Sequence, residues 1–236
     1  MKGYDESKKC YLDGLRGDEA ECVEFLAELA GGGPALELGI GSGRIALPLA
    51  ARGMRVDGID LSPPTVAQMR TKPGSDKIAV TMGDMADVGV PGKYRLIYVI
   101  WNTLFNLPSQ EAQIRCFANV AAHLTDDGSF VVEAYVPSKF HRLSNNQYVE
   151  AESITLDEVG LDVLRHDAAK QMLEENHVYI SRSGIDMSPV VQRYAWPSEL
   201  DLMARLAGLR LKERWSGWKR EPFVSNSERH VSVWGR

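Results

Sequence analysis

The chain has 236 residues, 44% apolar and 25% charged, the make-up of one soluble globular domain with a full core. Its net charge of −5 argues against general affinity for nucleic-acid backbones, which calls for a basic face. Three scattered cysteines, Cys10, Cys22 and Cys116, imply neither a disulfide framework nor metal-ligand spacing, so no metal is expected and the thiols read as reduced in a cytosol.

Residues 1–10 are polar, with no apolar stretch of the kind an export signal needs. The longest apolar run, Leu96–Trp101, is far short of the ~20 residues that span a bilayer. The expectation is a cytoplasmic protein without a membrane segment.

The first element is a helix over about 18–29, opened by Asp18 and Glu21 in capping-box spacing and stopped by Gly31-Gly32-Gly33-Pro34. Ala35–Leu38 reads as a short buried strand, followed by a glycine turn and a helix over 45–51 that Pro48 should bend or rob of one hydrogen bond. Arg55–Asp60 is a second strand. Ser62-Pro63 gives an N-cap and a first-turn proline for a helix to about Arg70. Strands follow over 78–81 and 96–101, the latter without alternation, as in a strand buried on both faces. Ser109 opens a helix, Asp126-Asp127-Gly128 turns the chain, and Ser129–Val136 makes a fifth strand.

Strands alternating with helices imply a doubly wound α/β sheet. After Pro137 the rhythm changes. The β-type segments 153–156, 163–166, 177–181 and 190–196 point to an antiparallel insertion over 137–195. A helix opened by Pro197 and ended by Gly208, then strands over 209–215 and 230–234, complete the pattern. The loop 217–229 is too long for a tight hairpin and is a candidate functional loop.

The informative segment is Leu36-Glu37-Leu38-Gly39-Ile40-Gly41-Ser42-Gly43-Arg44. Alternate glycines let backbone approach a ligand that any Cβ would block, and free N–H groups at the next helix suit an anionic group. A dinucleotide fingerprint places its third glycine at position 44, where this chain has Arg44. That counts against a nicotinamide enzyme.

Glu37-Leu38-Gly39-Ile40-Gly41-Ser42-Gly43 resembles the first motif of the class I S-adenosylmethionine-dependent methyltransferases, above all the small-molecule type of bacterial secondary-metabolite and amino-sugar pathways. The resemblance implies a Rossmann-like, mostly parallel seven-stranded sheet with an antiparallel strand at one edge. It implies S-adenosylmethionine as cofactor and S-adenosylhomocysteine as product. It also gives roles to residues: Glu37, Gly39, Gly41 and Gly43 in the turn; Asp60 on the ribose, where a carboxylate accepts from both hydroxyls; and Leu61 on one adenine face. Asp84 would take the adenine amino group, with Met85 on the ring. Trp101 and Asn102 would lie by the methionine amino group. Tyr11, with Tyr4 as its rival, would close over the methionine carboxylate.

The activity implied is transfer of a methyl group to an N or O nucleophile of a small molecule. The alternatives are a cofactor-binding module without turnover and an aminopropyl-type transferase. The Trp101-Asn102-Thr103 sequence counts against the latter, which carries acidic residues there.

A hydroxyl acceptor wants a general base, and the candidates are His141, His177, His230 and Glu133. His141 is preferred, with Tyr135 beside it. His123 is read as structural. Residues 137–195 should cover the acceptor site, helped by a loop whose Trp215, Trp218, Lys219, Arg220 and Phe223 either stack on the acceptor or are core and solvated groups. Residues 1–30 form a helical cap on the single domain 1–236, which is expected to be a monomer or homodimer.

Overall fold

The computed structural model describes residues 16–87 and 89–236. Tyr4, Cys10 and Tyr11 lie outside the described residues. A seven-stranded sheet is built from β1 (Ala35–Leu38), β2 (Val56–Asp60), β3 (Ala79–Met82), β4 (Tyr94–Val99), β5 (Leu124–Tyr135), β10 (Arg210–Trp215) and β11 (Arg229–Gly235). Its order is β10-β11-β5-β4-β1-β2-β3. All pairings from β3 to β5 are parallel. The expected antiparallel strand is β11, which lies between β5 and the outermost strand β10.

Both faces of the sheet are covered, which is why β4 reads as an unbroken apolar run. Leu96 and Tyr98 point to one side, where they meet Phe25 and Leu26 of α1 (Glu19–Ala30), Leu49 of α2 (Ala46–Ala51) and Met69 of α3 (Pro63–Arg70). Ile97 and Val99 point to the other, with Phe117 of α4 (Gln110–His123) and Leu200 and Met203 of α5 (Pro197–Leu206).

Local chemistry departs from expectation at three places. Asp18 makes no capping bond; its carboxylate accepts from Arg229, and Glu21 pairs with Lys219. The orphan amides before α1 are taken instead by Glu19, which accepts from the N–H groups of Arg16 and Gly17. Pro48 costs α2 nothing, because it is the third residue of that helix and first-turn N–H groups have no intrahelical partner. Asp126-Asp127-Gly128 does not end a turn before β5. It bulges within β5, where Tyr94 pairs with Leu124 and Leu96 already pairs with Ser129.

The insertion is a separate four-stranded antiparallel sheet, β6 (Gln147–Ile154), β7 (Glu158–Asp167), β8 (Met172–Ser181) and β9 (Gly184–Arg193). The strands are shifted from their sequence signals: 153–156 ends β6 and enters the turn before β7, and 190–196 overruns the end of β9. Leu164 and Leu173 anchor one face in the core beside α4 and α5. Gln113 and Arg193 exchange two buried hydrogen bonds, Gln113 Nε2 to the Arg193 carbonyl (2.6 Å) and Arg193 Nη1 to Gln113 Oε1 (2.8 Å), which tie α4 to β9. Among the described residues no helix is long and apolar enough to cross a membrane.

Candidate active site

β1 and β4 are neighbours from which the chain winds to opposite sides, so their carboxyl ends open the crevice where such sheets bind ligands. The glycine turn fills the mouth of that crevice. Gly39, Gly41 and Gly43 all have positive φ (73°, 52° and 76°), backbone that residues with a side chain rarely adopt. The three differ in what surrounds them. A Cβ on Gly39 would stand 2.5 Å from Thr103 Cγ2, and one on Gly43 2.6 Å from Met69. Among the described residues, a Cβ on Gly41 would meet nothing within 4 Å. Gly39 and Gly43 serve close packing, whereas Gly41 turns a bare backbone face toward open space.

Asp60, at the end of β2, holds the turn in place. Its Oδ2 accepts from Gly41 N–H at 2.6 Å and its Oδ1 from Ser62 N–H at 2.8 Å. A carboxylate has about four lone-pair sites, so both oxygens keep acceptor capacity. Leu61 follows with 67% of its surface exposed, an apolar side chain with no core to fill. Asp84 lies two residues past Met82, the register partner of Asp60, and its Oδ1 accepts from Ala86 N–H at 2.8 Å. The Met85 side chain is buried in the core, and its carbonyl accepts from Asn119.

Glu37 lies beneath the turn, buried among β1, β2 and β4. Its Oε2 accepts from Tyr98 Oη–H at 3.0 Å. Burial pushes its pKa up to about 8, against the pull of the Tyr98 and Ala46 hydrogen bonds. Asp60 and Asp84 are half-buried at the strand ends, whereas Glu37 is held beneath the turn.

At the end of β4, Trp101 and Asn102 both have left-handed backbone (φ 59° and 62°), which costs a non-glycine residue roughly 1–2 kcal/mol. Three bonds from β5 hold them there. Trp101 N–H donates to Glu133 Oε2 (2.6 Å), Asn102 N–H to the Glu133 carbonyl (3.3 Å), and Tyr135 N–H to Asn102 Oδ1 (2.7 Å). The guanidinium groups of Arg16 and Arg44 both lie against the Trp101 ring, 4.6 and 3.1 Å from its centroid.

Beside this corner opens a pocket of about 640 Å³, lined by Arg16, Asn102, Glu133, Tyr135, Lys139 and the loop residues Ser216, Val224, Asn226, Ser227, Glu228 and Arg229. Glu133, 2% exposed, is its buried carboxylate. Arg16 Nη1 pairs with Glu133 Oε1 at 3.1 Å. Burial raises the Glu133 pKa, and Arg16 and the Trp101 amide oppose that shift.

Tyr135 lines the pocket, its hydroxyl donating to Gln192 Oε1 at 3.1 Å. His141 does not line it. Its Nε2 bonds Tyr194 Oη at 2.9 Å, and His166 Nε2 bonds the same oxygen at 2.8 Å. His141 thus belongs to the seam between the segment after β5 and the insertion. His230 is fully buried and bonded to Ser232, with its pKa pushed down to about 3 by burial. His177 joins Glu152 and Asp162 on the insertion sheet, a group whose ligand atoms lie within 4.8 Å of one another and which sequence spacing did not reveal.

The loop 217–229 contributes differently from the aromatic lid considered for it. Trp218 is buried edge-on to Phe25, Lys219 pairs with Glu21, and Arg220 pairs with Glu28. Val224 and the polar residues 226–229 reach the pocket instead, because β11 pairs Arg229 with Tyr135 and brings the loop end over β5. Of residues 137–195, Lys139 lines the pocket.

A Rossmann-like sheet with a glycine turn after β1, an acidic residue ending β2, another past β3 and an adjoining pocket over β4 and β5 defines a nucleoside-cofactor enzyme of the doubly wound α/β class. A family model described as a methyltransferase domain matches residues 35–128. The CcbJ methyltransferase from Streptomyces caelestis is 35% identical, with a TM-score of 0.89 over 94% of this chain and 90% of that one. The chain belongs to the S-adenosylmethionine-dependent methyltransferases, and S-adenosylmethionine is its cofactor. The cypemycin N-terminal methyltransferase of a Streptomyces species is 24% identical over 200 residues, 84% of this chain and 81% of that one. The amino pentose methyltransferase CalS10 from Micromonospora echinaspora shares the fold at 20% identity, with a TM-score of 0.68 over 92% of this chain and 89% of that one.

Proposed function

We propose that the chain methylates an amine nitrogen of a small molecule seated in the pocket over β4 and β5. The observation that carries this reading is Glu133, a buried carboxylate on the pocket wall that also fixes the Trp101 amide. The names of the cypemycin N-terminal methyltransferase and of the sugar N-methyltransferase KedS8 support a nitrogen acceptor.

In this reading Asp60 takes the ribose hydroxyls, and Asp84 and the Met85 N–H take the adenine edge, with Leu61 over one face of the ring. The open side of Gly41 admits the nucleoside. The Trp101 carbonyl and Asn102 face the methionine amino group, and Tyr11 closes over its carboxylate. Glu37 acts through the turn it braces.

When bound, S-adenosylmethionine supplies a methyl group made electrophilic by the adjacent sulfonium. An amine attacks only when neutral. Glu133, with its raised pKa, takes the proton that the nitrogen must lose. Tyr135 and Lys139 bound the acceptor and fix its approach, and such positioning supplies up to ~7–11 kcal/mol of barrier reduction. No described histidine lines the pocket, which suits an amine better than a hydroxyl in need of a strong base. His141 is left a supporting place behind Tyr194.

The reading takes 1–236 as one domain, with 1–30 as a cap and 137–195 bounding the acceptor side. The free, buried thiols of Cys22 and Cys116 suit a reducing cytoplasm, and the acidic net charge suits a small-molecule rather than a nucleic-acid partner.

The test is calorimetric titration of wild type and Asp60→Ala with S-adenosylmethionine and S-adenosylhomocysteine, followed by methyl-transfer assays on amine and hydroxyl acceptors. Binding lost in the variant, with turnover on amines alone, supports the reading. Turnover on hydroxyls alone overturns the nitrogen assignment.

A further inference from the structure

Leu164 and Leu173 turn one face of the insertion sheet into the core. Side chains alternate along a strand, so Gly160 and Asp162 on β7 share that face with Leu164, and Glu175, His177 and Tyr179 on β8 share it with Leu173. Past the two leucines this face changes from apolar to acidic.

His177 lies directly opposite Asp162, and its Nδ1 is 2.5 Å from Asp162 Oδ1 and 3.7 Å from Glu152 Oε2. Glu152 arrives through a bulge. β6 and β7 pair Ala151 with Leu161 and Ser153 with Gly160, which leaves Glu152 as the extra residue of the ladder. Bulges re-aim side chains in this way and collect beside functional sites. Tyr179 crosses over Gly160, where a Cβ would stand 3.1 Å from its ring, and its hydroxyl donates to Glu152 Oε2 at 3.3 Å. A hydrogen bond of that kind orients a ligating carboxylate.

The donors are one imidazole nitrogen and two carboxylate oxygens from three adjacent strands, all within 4.8 Å of one another. His177 is 5% exposed, so packing fixes its ring. The Glu152 and Asp162 side chains keep 24% and 23% exposure, a way in for an ion from solvent. Ligand atoms about 2.1 Å from a tetrahedral ion stand about 3.4 Å apart. Glu152 is already near that separation from His177, and the Asp162 contact opens by about 1 Å when a metal replaces the proton between the two groups.

The surrounding charge favours a cation. Glu150 is the register partner of Asp162, and Glu175 faces His177, Asp162, Glu152 and the Lys139 ammonium. Like charges opposed on a ladder repel, and one ammonium does not balance these carboxylates.

We propose that Glu152, Asp162 and His177 bind a divalent transition-metal ion of the Zn²⁺ type, with water in the remaining position, and that the ion clamps β6, β7 and β8 together. Mixed imidazole and carboxylate donors favour Zn²⁺ over Mg²⁺ or Ca²⁺, which prefer oxygen ligands. None of the three residues lines the pocket over β4 and β5, so the site stands apart from the acceptor reading.

The test is calorimetric titration of the full chain, stripped with a chelator and exchanged into fresh buffer, with zinc chloride. Wild type is expected to bind about one equivalent with micromolar affinity or tighter, and Mg²⁺ about a hundredfold more weakly or worse. His177→Gln and Asp162→Asn, with unchanged circular dichroism, are expected to lose about tenfold or more in Zn²⁺ affinity. Should His177→Gln misfold, Glu152→Gln at the bulge serves, with the same expectation. Co²⁺ bound in place of Zn²⁺ should show no thiolate charge-transfer band. A wild type that binds no Zn²⁺ overturns the proposal. So does undiminished affinity in a folded variant, or a thiolate band with Co²⁺, which would put the ion on cysteine.

Discussion

Gly41 donates its N–H to Asp60 Oδ2 at 2.6 Å, so the turn after β1 and the carboxylate ending β2 form one rigid unit. Asp60→Asn keeps the shape but places an amide group against one of two N–H donors. Hydrogen bonds to charged groups are worth about 1.5–3 kcal/mol, so cofactor binding is expected to weaken about ten- to a hundredfold. Calorimetric titration measures it, and unchanged affinity would remove Asp60 from the site.

The glycines of the turn separate packing from access. Gly39→Ala drives a Cβ into Thr103 and is expected to lower the melting temperature markedly. Gly41→Ala meets open space and carries only the left-handed penalty of roughly 1–2 kcal/mol. Its loss should appear instead in cofactor affinity. Thermal melts with and without S-adenosylhomocysteine distinguish the two.

Glu37 gives the fold a pH dependence. Burial raises its pKa from 4.5 to about 8, so the folded chain keeps a proton that the unfolded chain releases. The stabilisation is complete below the unfolded value and is lost as pH rises toward the folded one. Wild type should therefore lose melting temperature across that window more steeply than Glu37→Gln, which has nothing to titrate. Parallel slopes would place the Glu37 pKa near normal.

Glu133→Gln removes the pocket's buried carboxylate and leaves the Trp101 amide an acceptor oxygen. Methyl transfer is expected to fall about 10²–10⁴-fold, the usual range for a positioned proton acceptor, and the acidic limb of the pH–rate profile should disappear. S-adenosylhomocysteine affinity should stay nearly unchanged. His141→Ala, which breaks a bond to Tyr194, is expected to alter stability and leave that profile in place.

Much of the cofactor side was legible in the sequence because it is local. The glycine turn and Asp84 follow β1 and β3 by one or two residues and Asp60 ends β2, and parallel strands deliver such positions to one edge. The pocket was harder to read because it is assembled across the chain. Arg16 reaches Glu133 from 117 residues away, and Arg229 arrives only through the register of β11 on β5. The loop's aromatic and basic residues read as a lid, yet their partners Phe25, Glu21 and Glu28 sit on α1, nearly two hundred residues earlier. The bulge in β5 was illegible for a related reason, since Asp-Asp-Gly marks a turn locally and only pairing with β4 absorbs it into the strand.

The Arg16–Glu133 pair makes the proposed acceptor pocket self-occupied. An incoming cationic substrate competes there with a guanidinium tethered to its own protein, present at the high effective concentration that a covalent link confers. Measured acceptor affinity is then a difference between two ligands of one carboxylate. Trimming the tethered ligand to alanine strengthens capture and, in the same act, strips the buried charge of the empty pocket of its paired guanidinium.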